Sequence, residues 1–178
     1  MNKRKYLPLP PLEVLKEYFD YNPDTGIITW KKPPNRRIKV GAEAGHCHVG
    51  VKMGKLVYRE IKFNYTLYKA HRLAYYMHHG IDPRNIDIDH EDGNGLNNKI
   101  NNLRVATCSE NGRNRKLHKN NTSGITGVCW DKNRGEWRAY LKLNGKYKFL
   151  GHYINIQDAD QARKEAEKKY FGKFRRKD

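Results

Sequence analysis

Apolar and polar residues alternate along this chain with two different periods, and the changes of period divide it. Leu12, Leu15 and Phe19 recur at helical spacing and predict a short amphipathic helix after the extended lead Leu7-Pro8-Leu9-Pro10-Pro11. Asn22-Pro23-Asp24-Thr25-Gly26 forces a turn, and Ile27-Ile28-Thr29-Trp30 reads as a strand. Two further extended stretches are predicted around 48–53 and 56–65, with Gly54-Lys55 as a tight turn, so the N-terminal part is mostly β. Residues 69–79 return to a helical pattern that Gly80 ends, and Asp82-Pro83 marks the boundary after it.

Ile86 and Ile88 then alternate with Asp87 and Asp89 as in a half-buried strand, a Gly/Asn-rich loop fills 92–102, and Leu103 and Val105 begin another strand. Thr107 and Glu110 form a capping box that starts a helix at about Cys108. Residues 116–124 are polar, basic and aperiodic, as a linker is. Asn133-Arg134-Gly135 and Asn144-Gly145 supply two hairpin turns between alternating arms, and from Asn155 to Phe171 a narrow stripe of Ala159, Ala162, Ala166 and Tyr170 predicts a helix stopped by Gly172. The expected class is α+β. A β-rich extension covers 1–66, a strand–loop–strand–helix core 67–118, a linker 119–124, and a three-stranded sheet with one helix and a basic tail 125–178.

Charge narrows the partners. Thirty-six Lys and Arg stand against 19 Asp and Glu, a net +17, while only 37% of residues are hydrophobic. The cations are spread along the chain among 12 Tyr and 3 Trp, which favours nucleic acid over a membrane surface. Cys47, Cys108 and Cys129 form no C-x-x-C pair, so neither a zinc knuckle nor a disulfide framework is expected, and the glycines at 41, 45, 50 and 54 are not spaced as a dinucleotide fingerprint. No segment approaches the roughly 20 apolar residues of a membrane span, and a cytoplasmic protein is expected.

Hydrolysing a phosphodiester needs a base and a cation, because an anionic nucleophile must approach an anionic centre. Residues 89–111 offer both: Asp89 as a hard oxygen ligand, His90 as a base titrating near neutrality, and Asn111 as a second oxygen ligand from the helix. Asp89 and His90 point to opposite faces of a regular strand, so a bend near Gly93–Gly95 is required if they share a site. Asn114 and His118 lie on the same helical face as Asn111 and are rival ligands, with phosphate or linker contacts as their preferred roles. Most of Asn94, Asn97, Asn98 and Asn101 read as turn formers.

The run IDHEDGNGLNNKINNLRVATCSEN resembles the HNH (ββα-metal) endonuclease motif of phage and homing enzymes. The resemblance implies Asp89 and Asn111 as metal ligands, His90 as general base, Asn102 as the residue orienting it, and one Mg²⁺ or Mn²⁺ ion. His71-Arg72-Leu73 resembles the family's lead-in helix; His71 is either a structural histidine or a DNA contact, and Arg72, Arg113 and Arg115 are candidate DNA contacts. The stretch SGITGVCWDKNRGEWRAYLKLNGKYKFLGHY resembles the plant ethylene-response-factor (APETALA-type) DNA-binding domain. Its middle strand should turn Trp137, Ala139 and Leu141 to the helix and Arg138, Tyr140 and Lys142 outward to DNA, with Lys132 and Arg134 as phosphate contacts in the first turn. Several arginines of the plant domains are absent, so no target sequence carries over. Together the resemblances imply a phage-type nuclease acting on double-stranded DNA in a host cytoplasm, as a monomer that nicks. The rival reading is a DNA-binding regulator that does not cut, and RNA binding is a weaker third.

Overall fold

The computed structural model describes residues 7–48, 57–113, 117 and 120–174. The expected Gly54-Lys55 turn, the rival ligands Asn114 and His118, and Arg115 lie outside them. The chain forms two compact units, Met1–Thr107 and Cys108–Asp178. Their elements make a mixed α/β protein of small antiparallel sheets, with four α-helices among the described residues.

The first unit opens with α1 (Leu12–Tyr18), then the hairpin β1 (Phe19–Asn22) and β2 (Ile27–Trp30). Phe19 lies one residue beyond the helix but is still buried, so the apolar spacing identified the core residue and only the element differs. A three-stranded sheet follows in the order β3 (His46–His48), β4 (Tyr58–Phe63), β5 (Thr66–Lys69). The single extended stretch expected at 56–65 is thus a strand and a turn, with Asn64 and Tyr65 at φ 45° and 62°. That left-handed pair makes a tight hairpin without the glycine that usually signals one.

Helix α2 (Ala70–His79) packs its Ala70, Leu73 and Ala74 into the core formed by Leu15, Phe19, Ile28, Trp30, Ile61 and Phe63. Beyond it, β6 (Asp87–His90) pairs with β7 (Leu103–Ala106) in the register Asp89↔Arg104 and His90↔Leu103. All four residues of β6 are buried, not two. Ile88 joins the apolar core, and the carboxylate of Asp89 is made tolerable by Arg104 directly opposite.

The second unit holds α3 (Cys108–Arg113), which begins where Thr107 and Glu110 predict. It continues with the sheet β8 (Val128–Asp131), β9 (Glu136–Leu143), β10 (Lys146–Tyr153), β9 in the middle, and α4 (Ile156–Phe171). The core consists of Val128, Ala139 and Ala159, and of Leu141, Ala166 and Phe171. On α4 the buried positions are Ala159, Arg163, Ala166 and Phe171, where the apolar stripe named Ala162 and Tyr170. Small alanines bring the helix close enough for Arg163 to donate to the carbonyl of Tyr140 at 2.9 Å and pair with Glu167 at 2.8 Å, so a charged residue occupies a core position.

Candidate active site

His90 closes β6, and the chain turns immediately after it: Gly93 N donates to the His90 carbonyl at 2.9 Å. The turn thus lies beyond Asp89 and His90, which both stay in the β6–β7 ladder. Within the first unit Asp89, His90 and Asn102 come together, all buried, and His90 is only 2% exposed.

Asp89 sits inside a charge pair. Its Oδ2 accepts from Arg104 Nε at 3.0 Å and Nη2 at 2.9 Å, and Glu91 approaches the same guanidinium at 3.7 Å. Burial pushes the His90 imidazole below its ordinary value, against the opposing pull of its hydrogen bond to Asn98 and the charges of Asp92 and Asp89. A base held neutral by burial is ready to take a proton at neutral pH.

The ring's hydrogen-bond partner is Asn98: His90 Nε2 lies 3.0 Å from Asn98 Oδ1. The resemblance to the HNH motif implies Asn102 for this task. Asn102 instead ties the loop, donating from Nδ2 to Asp92 Oδ1 at 3.0 Å and to the Asn97 carbonyl at 2.8 Å, and accepting from Asp92 N at 3.0 Å. Burial would raise the Asp92 carboxyl, but hydrogen bonds from Asn97, the Asn94 main chain and Asn102 outweigh it and hold the group low. Nothing in an Asn-rich stretch marks Asn98 apart from its neighbours, because turn propensity is shared by all of them.

The loop is also clamped from outside. Gly95 fits where a Cβ would lie 2.4 Å from the Val57 carbonyl oxygen, and Gly26 where a Cβ would lie 2.5 Å from the main-chain carbon of Asn98. Tyr21 donates its hydroxyl to the Asn98 carbonyl at 2.8 Å. Its phenol is pushed up to about 12 by burial and then by Asp24, so it remains a donor.

His71 belongs to this neighbourhood. Its ring centroid is 5.0 Å from that of His90 and 5.2 Å from that of Tyr58, and its buried Nδ1 has no hydrogen-bond partner. Burial, followed by His90, drives its pKa well below the ordinary value, so His71 is neutral. Arg72, expected as a DNA contact, is turned into the protein instead. It is 4% exposed and donates to the main-chain carbonyls of Ile86 and Pro83, fastening α2 to the segment before β6. Asn111 is half-buried in the second unit, where Arg113 lies 4.5 Å over the Phe171 ring.

In the second unit Arg138 and Lys142 are exposed and Ala139 and Leu141 buried, so β9 has the expected inner and outer faces. Lys132 and Arg134 are exposed in the preceding turn. Tyr147 and Phe149 oppose Lys142 and Tyr140 across the β9–β10 ladder and so share the outer face. Lys142 Nζ lies 5.3 Å from the Tyr147 ring centroid, and the Tyr140 and Tyr147 centroids are 5.5 Å apart. Among the described residues no helix is long and apolar enough to cross a membrane.

A buried Asp-His pair at a strand end, followed by an Asn-rich loop and a second strand, is the layout of an HNH endonuclease core. The HNH endonuclease family model matches residues 68–113, and the chain belongs to that family. It is similar to Protein 3.8 of Escherichia phage T7, with 40% identity over 82 residues that make up 46% of this chain and 68% of that protein. No solved structure matches it.

Proposed function

We propose that the protein is a metal-dependent DNA endonuclease in which the loop unit cuts and the C-terminal sheet reads. The observation that carries the proposal is the His90 imidazole, buried, held neutral and hydrogen-bonded with Asn98, one residue beyond the Asp89 carboxylate. His90 takes the proton from the attacking water, and the loop fastened by Asn102 keeps the imidazole in place.

The donor set supports a hard divalent cation. Among the described residues no group of three or more His, Cys, Asp or Glu could hold a metal, so a zinc cage is not formed. A buried carboxylate oxygen suits a hard cation that keeps water and phosphate oxygens in its shell, as Mg²⁺ or Mn²⁺ does. Asp89 would hold it, and the resemblance to the HNH motif assigns Asn111 as a second oxygen ligand. When bound, the ion offsets charge on the phosphate and on the departing 3′ oxygen. Arg104 balances the Asp89 carboxylate within the fold.

The outer face of β9 and β10 supplies the second half. Arg138, Lys142, Lys132 and Arg134 offer cations and Tyr140 an aromatic surface, the mixture that phosphates and base edges recruit. The APETALA-type resemblance assigns this face to the major groove of double-stranded DNA, and Arg113 and Arg115 are further candidate DNA contacts from the sequence. A phage protein of this kind works in the cytoplasm of its host.

One His90 serves one phosphate at a time, so a single chain nicks. Supercoiled plasmid incubated with limiting protein and Mg²⁺ should accumulate open circles before linear DNA and stay intact in EDTA. Plasmid that is bound but never broken would make the protein the non-cutting regulator. Linear DNA appearing at once, with a rate rising as the square of protein concentration, would make the working unit a dimer.

A further inference from the structure

We infer that Tyr65, at the tip of the β4–β5 hairpin, is a contact to duplex DNA about five base pairs from the bond that is cut. The distance rests on the reading of His90 as the cutting end. The contact itself lies outside the family's matched span of 68–113.

A two-residue hairpin turn with both central residues left-handed favours Asn-Gly, because glycine alone enters that region without a Cβ clash. The protein uses this pair at Asn144-Gly145, with φ 49° and 82°. Asn64-Tyr65 makes a turn of the same hand at φ 45° and 62°, with a bulky ring where the other hairpin has glycine. Packing does not offset the strain. Tyr65 is 97% exposed, and its ring has no aromatic, cationic or hydrogen-bonding partner among the described residues. A strained residue that adds nothing to the core points to a task outside the fold.

The strand that leads to the tip also leads away from the catalytic loop. β4 buries Ile61 and Phe63 and so sets Tyr58, Glu60 and Lys62 on its other face. At the start of that face the Tyr58 ring centroid is 5.8 Å from that of His90, and a Cβ on Gly95 of the catalytic loop would lie 2.9 Å from the same ring. Lys69 Nζ follows, 5.0 Å from the Tyr58 ring centroid and paired with Glu60. Nearer the tip Lys62 is exposed, opposite Leu67 at 48% exposure, and has no acidic partner among the described residues. Five residue steps from Tyr58 to Phe63 span roughly 17 Å, and a duplex advances about 3.4 Å per base pair, which gives the offset of about five. A net charge of +17 and the continuity with His90 make duplex DNA the occupant of this strip. Its backbone meets Lys62, and the Tyr65 ring lies against the sugars of a groove.

The test compares full-length proteins by urea denaturation, by plasmid binding in EDTA, and by single-turnover nicking at saturating DNA and Mg²⁺. Tyr65→Gly should raise the urea midpoint and weaken binding on the order of tenfold, with the nicking rate at saturation unchanged. Tyr65→Phe keeps the ring and should match the wild type in both. Lys62→Gln should lower the salt slope of binding by about one. Tyr65→p-benzoylphenylalanine, irradiated on the plasmid, should place its adducts about five base pairs from the mapped nicks. Wild-type affinity in Tyr65→Gly overturns the inference, as does a lower urea midpoint, which would return the ring to the fold. A wild-type dimer that Tyr65→Gly splits without changing DNA affinity would make the tip a contact between copies of the chain, and also overturns it. Adducts without a fixed offset overturn the placement. If the wild type never nicks, the endonuclease reading has failed, and the binding comparison still decides whether Tyr65 touches DNA.

Discussion

The two units bury polar groups in opposite ways. The first buries His71, Arg72, Asp87, Asp89, His90, Asn98 and Asn102, whereas among the described residues of the second Arg163 is the one buried charge, and Arg138, Lys142 and Tyr147 lie outside, Tyr147 at 69% exposure. Buried polar groups cost free energy unless each finds a partner, and once partnered they hold a single geometry. A reacting base needs that single geometry. A reading surface needs only to present donors and rings to a groove, and side chains there keep their freedom until DNA arrives.

The sharpest way to break this contrast is to remove the charge that the first unit balances. Asp89→Ala removes the carboxylate that Arg104 meets at 2.9 Å, so urea denaturation should show a loss of stability on the order of 1–3 kcal/mol. The same variant should need more Mn²⁺ for any cleavage. Asn111→Ala should raise the metal requirement too, but with little loss of stability, because no buried charge is stranded. Equal stability for Asp89→Ala and the wild type would remove the ion pair from the account.

In the second unit the matching experiment is Arg163→Met. Losing the bond to the Tyr140 carbonyl and the pair with Glu167 should cost about 1–3 kcal/mol of stability, with the chemical step at saturating DNA unchanged. Smaller effects belong to the surface. Arg138→Ala and Lys142→Ala should leave folding intact; a base contact loses about 1–3 kcal/mol of discrimination at one position, and a phosphate contact lowers the salt slope by about one. Binding unaltered in both would place the reading face elsewhere.

The smallest effect is a pH slope. His71 is held neutral in the folded state, well below its ordinary value, whereas in the unfolded chain it protonates near the ordinary value of about 6.5. Below that pH the unfolded state binds the extra proton, so stability falls as pH drops. Urea midpoints at pH 7 and pH 5 should differ less in His71→Phe than in the wild type, and equal differences would remove His71 as a contributor.

How much of this was legible depends on how far apart the partners lie. Asp89, His90 and the strand–loop–strand order are local patterns, and so are the Asn144-Gly145 hairpin turn and the start of α3. The Asn64-Tyr65 turn was hidden because a tyrosine takes the left-handed position that glycine usually advertises. Arg72 read as a DNA contact and Arg163 was not singled out, since nothing local announces the carbonyls that accept from them 11 to 23 residues away. Asn98 was the hardest. Its side chain serves His90 and its main chain is held by Tyr21, 77 residues earlier, a link that no periodicity or spacing encodes.

The central claim is that cutting depends on one buried imidazole and not on the basic surface. Supercoiled plasmid cleavage at saturating Mg²⁺, wild type against His90→Ala, tests it most directly when DNA affinity is measured on the same preparations. The account expects cleavage to fall on the order of 10²–10⁴-fold with affinity nearly unchanged. Cleavage by His90→Ala at the wild-type rate would contradict it.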